Sequence, residues 1–110
     1  MDFERENLSD TVAVVRGVGR LNMVSAPHLR EAVASAIADG RAQVVVDLSG
    51  VEFMDSSGLG ALVGCLKTTR QAGGDLRIAA PSDQVTMVLQ LSNLDRILTS
   101  YASPEVAYRD

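Results

Sequence analysis

Val44-Val45-Val46-Asp47-Leu48-Ser49-Gly50-Val51-Glu52-Phe53-Met54-Asp55-Ser56-Ser57-Gly58-Leu59-Gly60 carries the decisive pattern of this chain. A strand with one wet face alternates apolar and polar residues; the unbroken apolar run from Val44 predicts instead a central strand covered on both faces. A buried strand then passes through Val51 to Met54 and leads straight into a helix starting near Asp55-Ser56-Ser57. On that helix Leu59, Leu62, Val63 and Leu66 share a stripe, while Lys67, Arg70 and Gln71 face water. Gly73-Gly74 ends it.

Outward from this segment, strands and helices alternate. Val12 to Val18 is a β-branched strand ended by Gly19, and Phe3 to Leu8 pairs with it across a Ser9-Asp10 turn. Ser25 caps a helix that accepts Pro27 in its first turn; Leu29, Ala32, Val33, Ala36 and Ile37 recur at helical spacing until Gly40. Asp75 to Ala80 is a further strand. Pro81-Ser82-Asp83 starts a third helix with Val85, Val88 and Leu89, Ile97 to Tyr101 is a short last strand, and Pro104 to Tyr108 is a truncated final helix. Short connections and right-handed crossovers give an α/β fold. It has a small mixed β-sheet of four to five strands, parallel at its centre with an antiparallel edge, packed with about four helices. No repeat, low-complexity stretch or long linker divides residues 1–110, which read as one domain.

Composition removes several functional classes. The net charge is −4, which lacks the basic footprint that nucleic acid or anionic membrane surfaces require. Aromatic residues are 4% with no Trp, so there are no stacking platforms for single strands. Cys65 is the sole cysteine, which excludes an internal disulfide and a cysteine-based zinc site and fits a reducing compartment. The charged start Met1-Asp2-Phe3-Glu4-Arg5-Glu6 does not read as a signal peptide, and no apolar run reaches transmembrane length, so neither export nor membrane insertion is expected. A cytoplasmic location is expected.

The chemistry is concentrated at the start of the second helix, where Asp55, Ser56 and Ser57 stand together. A helix N-terminus has unpaired N–H groups and partial positive charge, so an anion there is stabilised. A phosphate on either serine would add about −1.5 to −2 charge without unfolding the domain. A docked partner would feel that change, and a loss of about 4 kcal/mol is close to a thousandfold in affinity. Either hydroxyl could equally serve as a plain helix cap, worth about 1 kcal/mol. Asp55 can be both a cap and a positioning group.

Enzymatic readings find no support in the motifs. Gly58, Gly60 and Gly64 suggest a phosphate loop, but Lys67 falls three residues beyond Gly64 rather than directly after a glycine. Close helix packing, or room for a partner, accounts better for these glycines, each of which costs up to about 1 kcal/mol in a helix. A nucleophile elbow needs glycine two places before the serine, which this stretch lacks. His28 is the only histidine and stands at a helix start, and Cys65 lies beside the apolar stripe as a small hydrophobe.

At these residues the chain resembles the STAS family, and within it the stand-alone anti-sigma factor antagonists of the SpoIIAA and RsbV kind. Val45 through Gly60 is similar to the family signature; Gln71-Ala72-Gly73-Gly74-Asp75-Leu76-Arg77, Leu91-Ser92-Asn93-Leu94 and Ser25-Ala26-Pro27-His28-Leu29-Arg30 extend the likeness over nearly the whole chain. The resemblance implies a non-enzymatic partner switch. In it an ATP-dependent serine kinase, itself the anti-sigma factor, phosphorylates the serine after the signature Asp, here Ser56. The unphosphorylated form would bind that kinase and free a sigma factor, and a PP2C-type phosphatase would restore it. No cofactor of its own is implied.

The Gly-Glu-Leu-Asp or Gly-Glu-Ile-Asp segment common in the family appears here as Gly19-Arg20-Leu21-Asn22, and that acidic last position lies by the phosphoacceptor in relatives. The expected partner-binding set is therefore Asn22, Met54, Asp55, Ser57, Gly58 and Leu59 around Ser56, with Phe53 and Met54 as an apolar rim or as core. The alternative is a STAS adaptor in another assembly, of the lipid-transport or stressosome-like kind, without a phosphoswitch. An apolar helix face leaves room for a homodimer or a heteromeric complex.

Overall fold

A computed structural model describes residues 2–109 of the chain. The elements run β1 (Phe3–Asn7), β2 (Val12–Gly17), β3 (Gly19–Leu21), α1 (Ala26–Ala38), β4 (Gln43–Asp47), β5 (Val51–Met54), α2 (Ser56–Gln71), β6 (Asp75–Ala79), α3 (Asp83–Leu91) and β7 (Ser100–Tyr101). Single 3-10 turns occur at Leu94–Arg96 and Pro104–Val106. The main sheet has the order β1-β2-β4-β6-β7. Its first pair is antiparallel, with Phe3 opposite Gly17, and the remaining pairs are parallel.

The apolar run of β4 sits at the centre, as its unbroken pattern requires, and Val44, Val45 and Val46 are all fully buried. Alternate residues feed two unequal cores. Ala13, Val15, Val44, Val46, Leu76 and Ile78 point to the side where α1, α2 and α3 pack, and they share one apolar cluster with Leu29, Val33, Leu62 and Leu89. Val14, Val45 and Ala79 form a small cluster on the other side. Among the described residues no helical layer covers that second face. Ala107, Tyr101 and Tyr108 do so instead. The Tyr108 hydroxyl donates to the carbonyls of Val44 at 2.8 Å and Asp75 at 2.9 Å. Arg77 stacks beneath Tyr108, 4.3 Å from its ring centroid, and donates to the Ala107 carbonyl.

Several sequence expectations are corrected here. The expected strands at Val44 and Val51 both form, but not in one sheet: the Asp47 carboxylate accepts from Ser49 N at 3.0 Å, turning the chain at Ser49-Gly50. β5 leaves the main sheet and pairs in parallel with β3, Leu21 opposite Met54. Gly19 is accordingly the first residue of a strand and not a terminator. Its φ of 115° lets the chain change direction after Val18, a conformation open chiefly to glycine.

Three α-helices form among the described residues, and the expected final one is only the turn Pro104–Val106. The last strand shrinks to Ser100–Tyr101. The buried stripe of α2 consists of Gly58, Ala61, Leu62, Cys65, Leu66 and Thr69, and Leu59 and Val63 lie at its margin. Small residues hide the register: a helix packed closely on a sheet buries Ala, Gly and Thr where a hydropathy stripe looks for Leu and Val.

Candidate functional site

β5 delivers the chain to the surface and α2 takes it back over the sheet, so the junction at Asp55-Ser56-Ser57 is held from both sides. Asp55 is the N-cap residue, in extended conformation. One of its carboxylate oxygens accepts from Ser57 N at 2.9 Å and Gly58 N at 3.0 Å, and its carbonyl accepts from Leu59 N at 3.0 Å. Asp55 N in turn donates to the Leu21 carbonyl at 3.3 Å, tying the junction to β3.

This arrangement changes the expected division of labour. Neither serine caps the helix. Ser56 is the first helical residue and exposed, and Ser57 is half-buried; neither hydroxyl makes a hydrogen bond. Two of the N–H donors that would have welcomed an anion, those of Ser57 and Gly58, are already taken by the Asp55 carboxylate, which leaves the N–H of Ser56. A phosphate on Ser56 would retain the favourable helix dipole but would stand beside a carboxylate, with solvent as its main partner.

The other predicted residues divide into surface and support. Met54 is 1% exposed and packs in the core, so it offers a partner no surface. Its backbone is gripped by Gln84 of α3, whose amide accepts from Met54 N at 2.9 Å and donates to Met54 O at 3.0 Å. Gly58 is buried as well. A Cβ there would fall against the Leu21 carbonyl, 2.8 Å from Leu21 Cγ and 2.9 Å from Met54 Cγ. Absence of a side chain at Gly58 thus lets α2 sit directly on the β3–β5 ribbon. Gly60 and Gly64 have nothing within 4 Å of a Cβ, so close packing does not explain them. Leu59 is half-buried beside the core.

Asn22 works as a loop staple. Its side-chain oxygen accepts from Val24 N at 3.0 Å and Ser25 N at 3.2 Å, two bonds an aspartate could also accept. Ser25, expected to cap α1, makes no side-chain cap bond to that helix. Its hydroxyl faces backwards, donating to the Arg20 carbonyl at 2.7 Å and accepting from Asn22 N at 2.9 Å. The register Leu21 opposite Met54 brings this β3–α1 loop alongside the Asp55-Ser56 junction.

Sequence reading missed what the loop and ribbon carry outward. Met23 and Val24 are 73% and 71% exposed, and the Arg20 guanidinium lies 4.5 Å over the Phe53 ring. The available signal was two adjacent apolar residues in a loop that needs none.

Elsewhere the candidates are inert. Burial raises the Cys65 thiol from its ordinary 9.0 to about 11, which keeps it protonated at neutral pH. No group of His, Cys, Asp and Glu that could hold a metal occurs among the described residues, and no described helix is long and apolar enough to cross a membrane.

Comparison with known proteins agrees with this geometry. The STAS domain model matches residues 6–107. The anti-sigma-B factor antagonist of Staphylococcus aureus is 32% identical over 88 residues, covering 80% of this chain and 82% of the relative. The crystal structure of an anti-sigma factor antagonist from Mycobacterium paratuberculosis superposes with a TM-score of 0.83 at 31% identity, over 98% of this chain and 93% of the other. The anti-sigma factor antagonist SpoIIAA, 25% identical, superposes in its unphosphorylated form with a TM-score of 0.80 over 94% of this chain and 91% of the other. In its phosphorylated form, from Bacillus, the TM-score is 0.73 over 94% and 95%.

Proposed function

Because the chain belongs to the STAS-domain family and is an anti-sigma factor antagonist, a non-enzymatic regulator, we propose that it acts through a binding cycle switched at Ser56. The unphosphorylated chain binds an anti-sigma factor that is also an ATP-dependent serine kinase, and a sigma factor is released. The kinase phosphorylates Ser56 and the complex dissociates. A PP2C-type phosphatase restores the binding form. The cycle runs in the cytoplasm.

The observation that carries this reading is the Ser56 hydroxyl: exposed, at a fixed helix start, and free of any structural duty because Asp55 performs the capping. A side chain with no internal bond can gain a phosphate without breaking any hydrogen bond of the fold. The new charge is then felt by whatever sits on the helix end, where desolvating it opposes docking. The relative SpoIIAA, solved in both phosphorylated and unphosphorylated forms, gives the same reading support. Ser57 is the less accessible neighbour, and its N–H is already held by Asp55.

Mass spectrometry after incubation with candidate cognate kinases and ATP tests the assignment. One phosphate on the wild type and none on Ser56→Ala is expected; modification confined to Ser57 contradicts it. If Ser56→Asp binds the kinase as tightly as wild type, the chain is instead a STAS adaptor without a phosphoswitch.

A further inference from the structure

Of the arginines, Arg5, Arg16, Arg41, Arg70 and Arg77 each pair with a carboxylate. Arg20, Arg30, Arg96 and Arg109 do not, and of these four only Arg20 has an aromatic partner among the described residues: its guanidinium lies 4.5 Å from the Phe53 ring centroid and makes no hydrogen bond. Stacking orders the side chain while leaving every N–H donor free. Beside it, Met23 and Val24 are exposed on a loop that is fixed by the two bonds to the Asn22 oxygen and by the Ser25 hydroxyl on the Arg20 carbonyl. An ordered arginine flanked by apolar anchors on pre-shaped backbone is the make-up of an interface centre, where little entropy remains to be lost.

We propose that Arg20, stacked on Phe53 and flanked by Met23 and Val24, is a specificity patch that docks against a carboxylate on the partner kinase. The proposal rests on the binding cycle above and names the chemistry of its partner surface. Charge complementarity argues for it: on a chain of net charge −4, Arg20 is the unpaired arginine on β3, the strand whose register sets Leu21 opposite Met54 and so lies next to the acceptor junction, where an acidic partner face would meet it. Phe53 and Ser56 are separated by no more than about 11 Å of extended chain, close to the reach of electrostatics at physiological salt. Phosphorylation would therefore switch off binding in two ways. It obstructs the helix end, and its charge of about −1.5 to −2 outweighs the single positive charge that the partner reads.

The test measures association of the kinase that modifies Ser56 with wild type, Arg20→Glu and the double variant Met23→Ser/Val24→Ser, at low and high salt. Arg20→Glu is expected to weaken binding about tenfold or more, chiefly in the association rate, and to abolish or invert its salt dependence. The apolar double variant is expected to raise the dissociation rate with the salt dependence kept. All these side chains lie at the surface, and unchanged melting temperatures verify the fold; should Arg20→Glu melt early, Arg20→Gln carries the charge comparison. Binding and salt dependence equal to wild type for both overturn the patch while leaving the cycle intact. If wild type is neither bound nor modified by any cognate kinase, the cycle fails and the patch falls with it.

Discussion

Asp55 holds two N–H groups with one carboxylate oxygen, and this small arrangement decides what Ser56 is free to do. Asp55→Ala removes the cap and should cost about 1 kcal/mol, or about 4–8 °C in melting temperature for a domain of this size. Thermal melting checks it; no change would mean that the serines share the capping after all. The glycines make a paired prediction. Gly58→Ala drives a methyl into Leu21 and Met54 and should destabilise by about 1–3 kcal/mol. Gly60→Ala meets nothing within 4 Å and should stabilise the helix by up to about 1 kcal/mol. Denaturant titration of the two variants should move in opposite directions. Asp55, Ser56 and Gly58 were legible in the sequence because they are contiguous. Met54 was open between partner rim and core because a residue close to an exposed serine can still point inward, and only the β3–β5 pairing fixes which way it points.

Among the elements, β4 and α2 announce themselves: four consecutive buried positions and a long helical stripe each leave little choice of structure. The β3–β5 ribbon was hidden. Three and four residues are too short for periodicity to speak, and their partnership is set by the turn at Ser49-Gly50 and by the seat of α2. The surface patch was hidden for the same reason, since Arg20 and Phe53 meet only through that ribbon. The C-terminal segment was legible as a start signal at Pro104 but not as the cover of the second sheet face. Its hold is the Tyr108 hydroxyl, so Tyr108→Phe, which keeps the ring over Arg77, should cost about 1 kcal/mol. Chemical denaturation reads that loss, and hydrogen exchange should show it first in β4 and β6.

For the whole molecule, stability has an alkaline limit built into one buried and one partly buried acid. The Cys65 thiol is raised by burial from 9.0 to about 11, and burial raises the Tyr108 phenol above its ordinary 10.0. As pH climbs past 9.0 the unfolded chain ionises first and binds fewer protons than the folded one, so unfolding becomes easier. Melting temperature should hold below pH 9.0 and fall towards about 11, with a shallower fall in Cys65→Ala. Around neutral pH neither group changes charge. The only event expected to alter the charge of the site under those conditions is phosphate transfer to Ser56. Most directly, calorimetric titration of the cognate kinase with the unmodified chain and with the same chain stoichiometrically phosphorylated on Ser56 decides the matter. The predicted result is an affinity at least about a hundredfold lower, about 2.7 kcal/mol, for the phosphorylated chain, with both forms melting cooperatively as folded protein. Equal affinities, or a phosphorylated chain that binds poorly because it has unfolded, would contradict it.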